Sequence, residues 1–405
     1  MADNAPRVLC ISSTHKGDEM LRAFKKAGWT VILMIEEEFK DDPWAHEAID
    51  EMIITPNLAK YQDVINTVTY IARGWQIDLI LPLDEFETEL VSMLREHMRL
   101  PGMRISETRR FRDKLAMRDI AQDAGIPVPD FVQVLNYDKL RDYMDTVDAP
   151  WMLKPRMEAG AMGIQKIHES EDLWRALDEL GDVQSHYLME QFLPGDVYHV
   201  DTLSVDGKSV FVSYQQYVNP PIDIYQKGGV FATRTVKRRT KDATELKKIN
   251  EKVIRTLGIE NGVTHAEFIK AHEDGKFYFL EVAARVGGAF VSDMMEHASG
   301  INFWREWARL EQAMFNDEKY SLPDTKQQYA ALMLTLSRQE HPDMSAYDDP
   351  EIVWRSDKPY HAGLIIVSDD YDRVEALQQE YMERFVQDFS TSAPPMGTQR
   401  TGQSG

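Results

Sequence analysis

His265–Gly288, HAEFIKAHEDGKFYFLEVAARVGG, is the stretch that decides how the chain is read. HAEFIKA has apolar positions in alternation, HEDG is a turn, and KFYFLEVA is rich in aromatic and β-branched residues. Two short antiparallel strands are predicted. Each arm carries one carboxylate, Glu267 and Glu281, flanked by residues expected to be buried. Paired across the turn, both would come to one face and lie close together. Burying two like charges side by side is costly unless a cation lies between them. A hard divalent ion such as Mg²⁺, held by one or two carboxylates and by substrate phosphates, meets that need. Arg285 follows at the strand end, and Gly287-Gly288 lets the backbone approach a ligand. The hairpin reads as a metal–phosphate site. Taken alone, it also fits two solvated edge-strand carboxylates, a surface arginine and a plain turn.

The rest of the chain narrows the choice. At 405 residues it is too long for one small core, and two or three lobes are expected. Sixty-seven acidic against 46 basic residues give a net charge of −21, which argues against a nucleic-acid or anionic-membrane partner. Cys10 is the single cysteine, so no internal disulfide can form, and a reducing, cytoplasmic setting is expected. The opening MADNAPR lacks the basic start and apolar run of a signal peptide, and no apolar stretch is long enough to span a membrane.

Arg7–Ser12, WTVILMI and Ile77–Leu83 read as buried strands, with helices over Asp18–Lys26 and from Phe86 to about His97. Alternating strand and helix predicts a small open parallel sheet over residues 1–103. No GxGxxG follows the first strand, which disfavours a dinucleotide site. His15, Lys16, Asp84 and Glu85 follow strand ends, where open sheets bind ligands, although each alone also fits a solvated loop.

From about Arg104 the texture changes. RFRDKLAMRDIAQDAGIPVPDF is an amphipathic helix bearing Lys114, closed by Gly125 and followed by a proline-spaced connector. WMLKPRMEAGAMGI is strand, loop and strand. Lys154 interrupts its apolar strand, and Gly160 and Gly163 give a loop whose N–H groups could cradle phosphate oxygens. Such a lysine on a buried strand needs an anion. In YLMEQFLPGDVYHVDTL, backbone groups from Glu190 to Leu193 could meet the edge of a planar base, with Met189, Phe192 and Leu193 around its faces. NPPIDIYQKGGVFATRTVKRRT is long, glycine-bearing and basic, the texture of a lid over an anionic substrate, with Lys227, Arg234, Lys237 and Arg238 as candidates. Residues 326–390 return to mixed strand and helix as a C-terminal lobe, and 391–405 are a Ser/Thr/Pro/Gly-rich tail expected to be disordered.

In this order the motifs resemble the ATP-grasp superfamily, carboxylate–amine ligase type, from about Arg104 to Arg305. The family's helix lysine and connector are matched by Asp113, Lys114, Arg118 and AGIPVP. Its strand lysine and glycine loop are matched by Lys154, Pro155, Gly160 and Gly163. Its hinge is matched by Glu190, Phe192, Pro194 and Gly195, and its paired-glutamate hairpin by Glu267, Glu281 and Arg285. Each motif is weak alone, and the four in sequence are strong.

The resemblance implies an α/β chain (α+β overall): an ATP-grasp fold with an N-terminal open parallel α/β lobe and two lobes sandwiching ATP. The ATP-grasp domain would be 104–325, with its small lobe at about 125–190. It implies that Lys114 and Lys154 meet the nucleotide phosphates under a loop that includes Glu158, Gly160 and Gly163. Glu190, Gln191, Phe192 and Leu193 would receive the adenine. Glu267 and Glu281 would hold Mg²⁺, with Mn²⁺ as a substitute. Arg285 and Lys154 would serve the chemistry: a small-molecule carboxylate takes the γ-phosphoryl group, and an amine then displaces phosphate to give an amide and ADP. Partners are these small molecules, with no nucleic acid or membrane, and a homodimer is the default assembly.

Two positions depart from the pattern. Ala283 stands where the family has a metal-binding asparagine, and Val197 where it has a ribose-associated acid, for which Asp196 is the substitute. His199 and Asp201 are candidates for substrate contact, a hydrogen-bonded structural role being the alternative for His199. Two other functions fit the same residues: an ATP-dependent carboxylase acting on bicarbonate, and, given Ala283, a catalytically weak nucleotide-binding regulator.

Overall fold

The computed structural model describes residues 5–391. The tail expected to be disordered lies outside them, apart from residue 391. The first lobe runs β1 (Arg7–Ser12), α1 (Asp18–Lys26), β2 (Thr30–Glu36), β3 (Glu51–Thr55), α2 (Tyr61–Ile71), β4 (Leu79–Pro82) and α3 (Thr88–Met98). Its sheet is parallel throughout, in the order β3-β2-β1-β4. Side-chain alternation serves two cores. Val8, Cys10, Val31 and Leu33 pack toward α1, whereas Leu9, Ile11, Ile32 and Met34 pack toward α2 and α3. A sheet covered on both faces has near-continuous apolar strands, and that is how RVLCIS and IDLILPL were legible. In α1, Asp18 and Glu19 open the helix and Lys25 and Lys26 close it, each sign suited to the helix dipole. β1 and β4 are neighbours while β2 lies on the other side of β1, so their carboxyl ends form a switch-point crevice.

A short α4 (Ile105–Thr108) leads to α5 (Lys114–Asp123), capped by the Asp113 carboxylate on the Leu115 N–H at 3.0 Å. A small lobe follows: β5 (Phe131–Gln133), α6 (Tyr137–Thr146), β6 (Trp151–Pro155), β7 (Gln165–Ile167), α7 (Ser170–Leu180) and β8 (Tyr187–Gln191). Its antiparallel sheet has the order β5-β8-β6-β7, backed by α6 and α7 through Leu140, Leu153, Leu173 and Leu177.

The large lobe is built on one eight-stranded sheet. Its elements are β9 (Gly195–Val205), β10 (Lys208–Tyr217), α8 (Pro221–Lys227), β11 (Phe231–Thr235), α9 (Lys241–Leu257), β12 (Gly262–Ala271), β13 (Phe277–Ala283), α10 (Val291–Ser299) and α11 (Phe303–Phe315). They continue through β14 (Tyr329–Leu336), β15 (Ile352–Arg355), β16 (His361–Ser368) and α12 (Tyr371–Asp388). The strand order is β13-β12-β9-β10-β11-β14-β16-β15. The boundary expected at residue 326 therefore falls inside a continuous sheet, where Phe231–Arg234 of β11 pair with Ala331–Leu334 of β14. At Gly195 an added Cβ would lie 2.4 Å from the Lys270 carbonyl oxygen, so the turn into β9 needs glycine.

The segment expected as an irregular basic lid is instead α8 and β11, and its cations hold other elements. Arg234 pairs with Glu375 at 2.7 Å and Lys237 with Asp372 at 2.6 Å, both on α12. Arg238 lies 3.7 Å over the Tyr329 ring and donates to the Gln327 carbonyl, and Lys227 pairs with Asp223 one helical turn away. The contacts of Arg234, Lys237 and Arg238 anchor the C-terminal helix and strand, and that of Lys227 stays within α8; of the segment, Pro220, Pro221, Ile222, Asp223, Gln226 and Phe231 reach the central cleft. Among the described residues no helix is long and apolar enough to cross a membrane.

Glu87, just before α3, is 2% exposed. Burial, and the Asp84 carboxylate beside it, raise its pKa from the ordinary 4.5 to about 8. A carboxyl raised in the folded state favours folding below the unfolded value and loses that contribution as pH rises through the folded one. Glu87→Gln removes the buried charge and keeps the shape. Its melting temperature should match the parent near pH 4 and exceed it by about 2–4 °C at pH 8–9, measured by calorimetry.

Candidate functional site

The decisive hairpin is β12 and β13, and its register contains a bulge. Near the turn, Lys270 pairs with Phe277 and Phe268 with Phe279. Beyond that point Glu267 pairs with Glu281 and His265 with Ala283, so Leu280 is one extra residue in β13. Without it, Glu281 would face Ala266 and point to the opposite side of the sheet. With it, Leu280 and Glu281 both line the cleft, and so does Glu267. Arg118, 1% exposed on α5, donates from Nη1 to the Leu280 carbonyl and holds the bulge from below.

Glu267 stands in a polar network. The Tyr217 hydroxyl donates to its Oε1 at 3.0 Å, and His265 Nε2 lies 3.8 Å from the same oxygen. His265 Nδ1 is 2.9 Å from Asp201 Oδ1, and His199 Nδ1 is 3.0 Å from Asp201 Oδ2. His199 Nε2 lies 2.8 Å from the Thr233 hydroxyl. Burial disfavours the His265 imidazolium, but the Asp201 carboxylate overcomes it and raises the pKa to about 9. Burial raises the Glu267 carboxyl, and the nearby His265 imidazolium, with the hydrogen bond from Tyr217, more than reverses this, leaving it below the ordinary range. His199 is fully buried and pushed toward its neutral form by that burial. It does not line the cleft, so its hydrogen-bonded structural role prevails. His199, Asp201 and His265 could converge on a metal by distance alone, yet each facing nitrogen already meets an Asp201 oxygen.

The two expected lysines reach the same cleft. Lys114 Nζ lies 2.9 Å from Glu281 Oε2 and donates to the Glu158 carbonyl at 2.5 Å. Lys154 pairs with Glu190 Oε1, and Arg118 takes Glu190 Oε2 at 2.7 Å. Burial raises the Glu190 carboxyl, but Arg118 and then Lys154 pull it down to about 2. The loop places Glu158, Gly160, Ala161, Met162 and Ile164 on the cleft, with Gly160 and Gly163 at positive φ, while Gly163 itself is not among the lining residues. Glu190, Gln191, Phe192 and Leu193 line it as well. The N–H groups of Gln191 and Phe192 are taken by the carbonyls of Asp130 and Pro150, which leaves a base-edge contact to the rest of the segment. Asp196 does not fit its expected place. It is exposed, lies 3.4 Å from His272 and is absent from the cleft wall, because strand alternation turns Val197 inward instead. Ala283 faces the cleft and supplies no ligand atom.

Arg285 is bound across 200 residues to the first lobe. Its Nε donates to Glu85 Oε2 at 2.9 Å, and Arg112 pairs with Glu85 Oε1. Burial raises the Glu85 carboxyl, and Arg112, Arg285 and Lys114 together bring it to about 2. Beside it, Asp84 holds Lys16 at 2.5 Å and the Thr14 hydroxyl at 3.1 Å. Of the four strand-end candidates, Glu85 lines the cleft, whereas Asp84, Lys16 and His15 lie outside its wall.

All of this surrounds one cleft of about 450 Å³ between the lobes, a size suited to a small organic ligand. Its wall includes Met117, Met152, Leu193, Val197, Tyr217, Phe231, Arg285 and Ala289, and Leu193 and Phe231 pack against Val197 and Tyr217 there. Sequence reading had not singled out Lys166, whose Nζ sits 3.5 Å over the Phe192 ring, nor Tyr217 and His265. A sequence signal existed for His265 and Glu267, two apart on one strand and so on one face.

Residues 119–290 match the family model of the ATP-grasp domain. Over 217 residues the chain is 26% identical to an L-arginine-specific L-amino acid ligase of Bacillus subtilis, covering 52% of each protein. It is 23% identical over 312 residues to an alanine–anticapsin ligase of Bacillus subtilis strain 168, covering 69% of this chain and 64% of that one. The match thus spans about half to two thirds of the length of these relatives. The crystal structure of an L-amino acid ligase from Bacillus licheniformis superposes with a TM-score of 0.74 at 17% identity, covering 97% of this chain and 100% of that one. The fold is the ATP-grasp fold.

A Cβ added at Gly287 would lie 2.7 Å from Asp201 Oδ1 and 3.0 Å from His265 Nδ1, both buried. Gly287→Ala should therefore lose about 1–3 kcal/mol in urea unfolding. Gly288→Ala, where an added Cβ meets nothing within 4 Å, should stay within about 0.5 kcal/mol of the parent.

Proposed function

We propose that this chain, an ATP-grasp protein, is an ATP-dependent carboxylate–amine ligase that makes an amide or peptide bond and releases ADP and phosphate. The observation that carries the reading is the in-register meeting of Glu267 and Glu281, with Lys114 on the latter, in a cleft that also receives Lys154 and Arg285. Two carboxylates facing each other suit an oxygen-seeking divalent cation. Glu267 and Glu281 would hold Mg²⁺, or Mn²⁺ in its place, with a water where Ala283 offers nothing. Bound there, such an ion neutralises phosphate charge.

The chain's own residues then have separate tasks. Lys114 and Lys154 bind the nucleotide phosphates, and the loop from Glu158 to Gly163 covers them. Met117, Met152 and Leu193 enclose the base, with Gln191 and Phe192 beside it. An oxygen of the carboxylate substrate attacks the γ-phosphorus, and the bond to ADP breaks. The amine attacks the acyl phosphate, loses a proton and expels phosphate, leaving the amide. Arg285, oriented by Glu85, stabilises the negative oxygen formed in each step. A cytoplasmic setting fits the single buried Cys10, and a homodimer is the default assembly on general grounds alone.

The test is incubation with Mg-ATP and pooled carboxylic acids and amines, followed by mass spectrometry and an ADP assay. ADP should appear in step with an amide and require both substrates. ADP release that follows bicarbonate would instead favour a carboxylase. Thermal stabilisation by Mg-ATP without turnover would favour a nucleotide-binding regulator. Glu281→Gln should lower the rate at least about a hundredfold while the protein remains folded; normal turnover would refute the metal assignment.

A further inference from the structure

The chain buries an ion cluster of three groups at the junction of α5, β6 and β8. Glu190 is 1% exposed, and its two oxygens are divided: Oε1 goes to Lys154, and Oε2 goes to Arg118 Nη2 at 2.7 Å and Nε at 3.2 Å. Arg118, also 1% exposed, does not line the cleft, whereas Lys154 does. One carboxylate with two cations leaves a net charge of +1, and the single member with both a cation and access to the cleft is Lys154.

We propose that Arg118 is a positioning residue that neutralises Glu190, so that the charge of Lys154 is available to a nucleotide phosphate. The inference rests on the nucleotide-binding reading above. If Glu190 faced Lys154 alone, the pair would be neutral, and a phosphate would have to compete with a buried carboxylate for the one lysine. A guanidinium suits the supporting position because it stays charged when buried and its fork reaches two acceptors at once. Here the fork spans Glu190 and the Leu280 carbonyl. The depressed pKa of Glu190, set against burial by Arg118 first and Lys154 second, agrees with a carboxylate that stays ionised between them.

The proposal makes charge balance, not shape, the quantity that matters. Isothermal titration with Mg·ADP on the full chain should show Arg118→Met binding about tenfold more weakly than the parent. The double variant Arg118→Met with Glu190→Gln restores the +1 balance and should return to within about threefold of the parent. A purely structural role predicts the reverse, since a second buried change would add its own damage. A double variant as weak as the single one, or weaker, overturns the proposal. Should Arg118→Met not fold, Arg118→Lys decides: it keeps the charge beside Glu190 and should bind Mg·ADP within about threefold of the parent, and a tenfold loss overturns the proposal. If the parent binds no Mg·ADP, the nucleotide reading itself falls and this inference with it, a result distinct from the others.

Discussion

The Leu280 carbonyl, carried by the one extra residue in β13, is taken by the buried guanidinium of Arg118. That contact has consequences on both sides of the sheet. The bulge shifts the register by one between Phe268 and Glu267, and a shift of one residue exchanges the faces of a strand. Phe268 and Phe279 therefore remain together in the core below, while Glu267 and Glu281 meet in the cleft above. Two carboxylates are brought side by side at a cost that the Lys114 ammonium and the His265 imidazolium reduce. A cation and a nucleotide are what such an arrangement is suited to accept.

The same logic repeats around the cleft. Each cation expected to meet phosphate or oxyanion charge is already matched to a carboxylate: Lys114 to Glu281, Lys154 to Glu190, Arg285 to Glu85. Ligand phosphates would share partners that are present and oriented, so little reorganisation is needed when charge develops. Glu85 extends this to the first lobe. It sits at the end of β4, holds Arg112 ahead of α5 and reaches Arg285 after β13. Arg112 in turn donates to the Met157 carbonyl at 2.5 Å, at the base of the loop that carries Glu158 and Gly160. One carboxylate thus ties the open parallel sheet to the elements that would handle the acyl group.

Much of this was legible in the sequence, and the failures have physical causes. Strands buried on both faces, such as RVLCIS, announce themselves by unbroken apolar runs, whereas β3, an edge strand with mixed exposure, gives little periodicity. Glu267 and Glu281 were found by residue type, but a simple hairpin would have put them on opposite faces. The bulge that unites them leaves no mark in composition, because Phe, Tyr, Phe and Leu suit either register. The basic segment was misread as a lid since its partners, Glu375 and Asp372, lie about 140 residues away and cannot be paired from sequence. Glu85 and Arg285 pose the same difficulty. Asp196, in contrast, could have been rejected in advance: with Val197 facing inward, its neighbour must face out.

The central claim is that Glu267 and Glu281 converge on one cation that carries a nucleotide triphosphate. It is tested most directly by a crystal structure of the chain with Mg²⁺ and a non-hydrolysable ATP analogue. The account expects Mg²⁺ within about 2.0–2.1 Å of a carboxylate oxygen from each glutamate and of phosphate oxygens, with Lys114 and Lys154 on the same phosphate chain. A nucleotide bound elsewhere, or a cation held by neither glutamate, would contradict it.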